Sequence, residues 1–194
     1  MNGAVPRPAL AEGARDLAFA LLGARQERWE HTAGVARRAE SLAVTVGHDD
    51  TGLLLAAAWL HDIGYADPLL DTGFHPLDGA RYLRAEGWPA RLCGLVAYHS
   101  GARFVAAVLG LSPALSGFPM EESPLSDALT YADQTVGPAG QPMSMGERIA
   151  DTLARHGADS PNARAHHLRA PYLTAVAARV RRRLGHRNPQ TTPA

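Results

Sequence analysis

The chain contains no lysine: all 19 of its basic residues are arginine. Lysine-based chemistry is therefore excluded. Any cationic contact to a substrate has to come from arginine, protonated histidine, a metal ion, a helix N-terminus or the α-amino group. A GC-rich coding bias would leave the same composition. Cysteine is limited to Cys93, so intrachain disulfides are impossible and a reducing compartment fits. Charge of one sign is also missing, because 19 acidic residues balance the arginines and the net charge is zero. No global electrostatic case for nucleic-acid binding arises. The longest apolar run is eight residues, Leu53–Leu60, far short of a membrane span. Met1 to Leu10 lacks the basic start and apolar stretch of a signal peptide, and a cytoplasmic location is expected. Internal repeats, low-complexity tracts and clean alternating strand patterns are absent as well.

What is present is helical periodicity. With 46% apolar and 20% charged residues over 194 positions, the composition is that of one globular domain with a sizeable core. The expected fold is all-α, a single irregular helical bundle over residues 13–185, with flexible tails at 1–12 and 186–194. Helices are predicted over about 13–23 and 26–46; on the second, His31, Val35, Ala39, Leu42 and Val46 share an inward face. A third, about 51–63, is apolar almost all round and therefore central, with Gly64 placed to end it. Further helices run from His75-Pro76 to about Glu86 and from Pro89 to about Gly101, and Cys93 is read as a small buried apolar group within the latter. Residues 101–122 read as a short helix followed by a lid or crossover loop. Ser123-Pro124 opens the helix carrying Asp133, which Gly137-Pro138 should stop. Ser144-x-x-Glu147 is a capping box for a helix ending near His156-Gly157. The last helix covers about 162–184, with Pro171 as a kink or fresh start and Arg179, Arg181, Arg182 and Arg183 as a helix-end charge cluster.

The chemistry concentrates on His61-Asp62, directly behind that longest apolar run, which should carry the pair into the interior. A buried carboxylate is costly unless something positive compensates it, and a metal ion is one of few adequate partners. His31, His75, His99 and Asp133 are further candidate ligands. Imidazole and carboxylate together suit iron, manganese, zinc, cobalt or nickel rather than a soft-metal site. His48-Asp49 is an internal control: the same dipeptide follows Val46-Gly47 in a polar turn and is assigned to solvent and capping. His156, His166, His167 and His186 fall outside the pattern.

With these residues in view, the chain resembles the HD-domain superfamily of metal-dependent phosphohydrolases. The resemblance rests on His31 in Arg-Trp-Glu-His-Thr, His61-Asp62 in Trp-Leu-His-Asp-Ile-Gly and Asp133 in Thr-Tyr-Ala-Asp. His75 in His-Pro-Leu-Asp-Gly-Ala and His99 in Ala-Tyr-His-Ser are similar to the added ligands of dinuclear members. It spans about residues 25–160. It implies that His31, His61, Asp62 and Asp133 hold one metal and that Asp62 bridges to a second held by His75 and His99. The implied cofactor is thus a pair of divalent transition-metal ions, iron or manganese foremost, which activate a shared water. His61 and Asp62 would be the catalytic pair. Many members carry a lysine three residues after the Asp of the pair, where this chain has Tyr65. Phosphate charge then falls to the metals and to arginines, with Arg148 and Arg81 as the candidate substrate contacts.

Three functions stay open on the sequence. The first is hydrolysis of a phosphate ester or anhydride, in a nucleotide or related small metabolite; that phosphorylated molecule is the expected partner, without nucleic acid or membrane. The second is a mixed-valent di-iron oxygenase, since some proteins of the family are similar to this six-ligand pattern. The third is a non-catalytic nucleotide-binding regulatory module. Oligomeric state is undetermined by the sequence.

Overall fold

A computed structural model describes residues 7–186 of the chain. The described residues form α1 (Arg7–Leu22), α2 (Gln26–Leu42), α3 (Thr51–Leu60), α4 (His75–Ala85) and α5 (Ala90–Tyr98), followed by α6 (Ala102–Leu109), α7 (Ser112–Leu115), α8 (Pro124–Asp133), α9 (Met145–His156) and α10 (Pro161–His186). Among these residues there is no strand, only an isolated bridge between Val136 and Pro142. The chain is all-α, as its periodicity predicts.

The centre is α3. Its sequence has almost no polar face, and Leu54, Ala56, Ala57, Ala58 and Leu60 are buried in contact with α1, α2, α5 and α8. Burying an apolar face on all sides is what holds such a helix in the middle of a bundle. The run Ala90–Leu109 is long and apolar enough to cross a membrane, yet two thirds of it is buried inside the bundle. It is also two helices, bent at Ser100 (φ 53°) and Gly101 (φ 71°).

Helix boundaries depart from periodicity where tertiary contacts intervene. Helix α1 starts at Arg7 rather than near residue 13, so residues 7–12 are helix and not tail. The remainder of the expected tails, 1–6 and 187–194, lies outside the described residues. Helix α2 ends at Leu42 and tightens into a 3-10 turn, Ala43–Thr45, instead of running to 46. Helix α3 stops at Leu60, and Ile63–Tyr65 is a separate 3-10 turn. Gly64 is not a left-handed helix cap. It is a close approach: a Cβ there would lie 2.7 Å from the Gly79 nitrogen and 2.8 Å from the His75 carbonyl carbon, with the carbonyl oxygen closer still. The absence of a side chain lets the turn after His61-Asp62 rest on the start of α4. Helix α8 ends at Asp133, four residues before Gly137. The Ser144 and Glu147 capping box forms, with the Ser144 N–H donating to Glu147 Oε2 at 2.8 Å. Helix α10 continues across Pro171. In 101–122, α6 is the expected short helix, and the four-residue α7 interrupts the loop that follows it.

Candidate metal centre

Each of the six histidine and aspartate residues sits at or near a helix end, and the bundle brings all of them to one place. His31 lies in α2, one turn into the helix. His61 and Asp62 follow α3, His75 opens α4, His99 follows α5, and Asp133 closes α8. They form two groups, His31 with His61 and Asp133, and Asp62 with His75 and His99; within each, the donor atoms lie within 4.8 Å of one another. All are buried except His75, whose side chain is 22% exposed towards a cleft. The control pair behaves as expected: His48 and Asp49 form an exposed 3-10 turn.

Backbone carbonyls orient the rings. Nδ1 of His31 lies 3.1 Å from the Gly137 carbonyl, Nδ1 of His61 2.7 Å from that of Ala58, and Nδ1 of His99 2.7 Å from that of Val96. A carbonyl only accepts, so in each ring Nδ1 carries the proton and the Nε2 lone pair faces the centre. Around that centre, His31 Nε2 is 3.1 Å from Asp133 Oδ1, and His75 Nε2 is 3.2 Å from Asp62 Oδ1 and 3.4 Å from His99 Nε2. His61 Nε2 is fully buried and has no hydrogen-bond partner, although Asp62 Oδ2 is 3.5 Å away and Asp133 Oδ1 4.0 Å away. A lone pair facing two carboxylates is satisfied by a cation between them. Nitrogen and oxygen donors of this kind suit a divalent transition metal.

The protonation states agree. Burial lowers the pKa of His61, His75 and His99, although nearby carboxylates oppose it, which favours the neutral, metal-ligating imidazole. For Asp62, burial pushes the carboxyl up, but His61, Arg28 and His75 outweigh it and hold it well below the usual carboxylate range. Asp133 is likewise held down against burial by His31, His61 and Arg148.

Several side chains that sequence reasoning missed complete the site. Arg28 donates from Nη1 to Asp62 Oδ2 at 2.7 Å, and its guanidinium lies 4.0 Å from the centroid of the Tyr65 ring. Tyr65 in turn stacks on His75, with centroids 4.0 Å apart, and burial beside Asp62 raises its phenol to about 12. So the position where many family members carry lysine holds an aromatic platform, and the cation next to Asp62 arrives from α2 instead. Arg28 is three residues before His31, one turn along the same face, and that spacing is the signal that could have found it. Ser100 donates its hydroxyl to Asp133 Oδ2 and its N–H to Thr130 Oγ1 at 3.2 Å, and its carbonyl accepts from Arg169 Nε at 2.8 Å. These contacts hold the left-handed Ser100 conformation. Gln134 also donates to Asp133 Oδ2, at 2.9 Å.

The site opens into a cleft of about 300 Å³, with Arg28, Arg148, Arg155 and Arg169 among its walls and, among the described residues, Asp62 and Asp133 as its acidic lining. Arg148, read from the sequence as a substrate contact, is there; it lies 3.9 Å from Asp133 Oδ1 and 3.2 Å from Asp151 Oδ2. Arg81 is a correction. It does not line the cleft and is ion-paired with Asp71 at the surface. Six residues along a helix rotate a side chain about 240°, so Arg81 and His75 leave α4 in different directions.

The comparisons with known proteins agree with this geometry. The HD domain family matches residues 28–171, a span that holds all six of the metal-binding candidates. The chain therefore belongs to the HD-domain family, whose superfamily is of the metal-dependent hydrolase type. Neither the curated proteins nor the solved structures give a significant match.

Proposed function

We propose that the protein is a metal-dependent phosphohydrolase that acts on a small phosphorylated molecule. The observation that carries this reading is the charge of the cleft: four arginines line it, Arg169 with no acid within 4 Å, against two acids on its lining among the described residues, both of which would hold metal. Arg148 and Arg155 share Asp151 behind them. A cleft charged in this way favours an anionic substrate. Its volume suits a small metabolite.

His31, His61 and Asp133 would hold one ion, Asp62, His75 and His99 the other, with Asp62 placed to bridge. Bound divalent ions, manganese or iron foremost, would lower the pKa of a shared water and polarise the phosphoryl oxygens. The chain's own residues do the rest. Arg28 fixes Asp62 through Oδ2 and lines the cleft. Arg169, held at Nε by the Ser100 carbonyl, has no carboxylate within 4 Å among the described residues and is free to take a phosphate oxygen through its terminal nitrogens. Arg148, Thr152 and Arg155 follow one another at steps of four and three, so one face of α9 lines the cleft. Tyr65 remains a protonated phenol at neutral pH. The α6 side chains Val105 and Leu109 supply an apolar wall for the part of the substrate beyond the phosphate.

The test is a panel of phosphate esters and anhydrides assayed with manganese, aerobically and without oxygen, on the wild-type chain and on Asp62→Ala. Turnover that is independent of oxygen and lost together with bound metal in the variant supports the proposal. Retained turnover in Asp62→Ala overturns it, and a requirement for oxygen moves the assignment to an oxygenase.

A further inference from the structure

A second cavity, of about 470 Å³, lies away from the metal centre between α2, the end of α8, the 135–144 loop and α10. Three arginines line it, Arg37 and Arg38 from α2 and Arg181 from α10, and among the described residues no carboxylate does. Some arginines of the same two helices are ion-paired instead, Arg28 with Asp62, and Arg179 and Arg183 with Asp127. Among the described residues, Arg37, Arg38 and Arg181 have no acid within 4 Å. Glu147, the acid at the start of α9, is turned back onto the Ser144 N–H.

Neutral groups hold Arg38 in place. Its Nε donates to Thr135 Oγ1 at 3.4 Å and its Nη1 to Ser41 Oγ at 3.3 Å, with the guanidinium 5.4 Å from the Tyr131 ring centroid. These contacts orient the guanidinium without cancelling its charge. Arginines that share one concave surface repel one another, and a multiply charged anion between them removes that cost while accepting bidentate hydrogen bonds. Tyr131 and Met143 add an apolar portion to the lining.

We propose that this cavity is a second anion-binding site, separate from the metal cleft, for a small molecule carrying a polyphosphate chain. Its loop also touches the metal centre from the other side, since Thr135 lies two residues after Asp133 and the Gly137 carbonyl receives His31 Nδ1. The proposal does not depend on the reaction catalysed in the cleft.

The experiment is calorimetric titration of the full chain, as purified and again after metal removal, with inorganic tripolyphosphate and separately with ATP. Wild type, Arg37→Gln, Arg181→Gln and Arg169→Gln are compared. Arg37 and Arg181 are exposed, so their variants should fold normally, with melting temperatures and metal content checked alongside. The expected result is saturable binding that survives metal removal, weakens about tenfold or more in each cavity variant, and is retained in Arg169→Gln. Tighter binding of ATP than of tripolyphosphate assigns the site to an organic ester; equal binding assigns it to the phosphate chain itself. Absence of saturable binding, or weakening only in Arg169→Gln, overturns the proposal.

Discussion

Replacing Gly64 by alanine tests whether the geometry of the metal centre depends on the close approach between the turn after Asp62 and the start of α4. The new Cβ would lie 2.7 Å from the Gly79 nitrogen and 2.8 Å from the His75 carbonyl carbon, and nearer still to the His75 carbonyl oxygen. These are backbone atoms, so no flexible side chain can give way. Restoring ordinary contact requires a displacement on the order of 1 Å, whereas metal–ligand distances tolerate only about 0.2 Å. The displaced segment carries His75 at one end and follows Asp62 at the other, so the Asp62, His75 and His99 group takes the damage. Overpacking of this kind costs about 1–3 kcal/mol, or roughly 2–12 °C of melting temperature in a domain of this size. Gly47 is the control, because a Cβ there meets nothing within 4 Å; Gly47→Ala should change stability by less than about 0.5 kcal/mol. Calorimetric melting and elemental analysis of the two variants decide the matter. If Gly64→Ala keeps the wild-type melting temperature and metal content, the reasoning from close approach is wrong.

Arg28→Gln removes the charge that Asp62 Oδ2 meets at 2.7 Å while leaving a donor, so turnover efficiency should fall about tenfold to a hundredfold with metal content retained; unchanged kinetics would remove Arg28 from the site. The pH dependence of stability follows from the buried histidines. His61, His75 and His99 have pKa values below their ordinary 6.5, so the unfolded chain binds protons there first, and stability of the metal-free protein should fall as pH drops below that value. Asp62 and Asp133, held well below 3.8, contribute stability above that value and lose it only as pH falls further. Melting curves at pH 7.5 and 5.5 check the first window, and no decline between them contradicts it. Ser144→Ala breaks the reciprocal cap of α9 and should cost about 1 kcal/mol, read as a lower melting temperature.

The all-α class and the interior placement of His61-Asp62 were legible because apolar periodicity and an apolar run report burial directly. The capping box of α9 was legible for the same local reason, since its two residues lie three apart. Boundaries were less so. Helix α3 ends three residues before its pattern does because the turn through Gly64 packs on α4, a contact that no window around residue 60 contains. Arg81 was placed by nearness in sequence to His75, and helical rotation sends it elsewhere. Ser100 and Arg169 were missed because their partners, Asp133 and the Ser100 carbonyl, lie 33 and 69 residues away.

The sequence by itself determined the residue types: histidines and carboxylates at the edges of apolar helices, arginine as the only long cation, and the family pattern they spell. Tertiary structure decided which nitrogen of each imidazole faces inward, because that depends on the carbonyls of Gly137, Ala58 and Val96. It also decided what each arginine meets. Arg28, Arg148 and Arg169 reach the metal cleft, Arg37, Arg38 and Arg181 gather elsewhere, and Arg179 is spent on Asp127. Charge in a sequence is a sum, whereas charge at a site depends on distance, and distance between remote residues exists only in the folded chain.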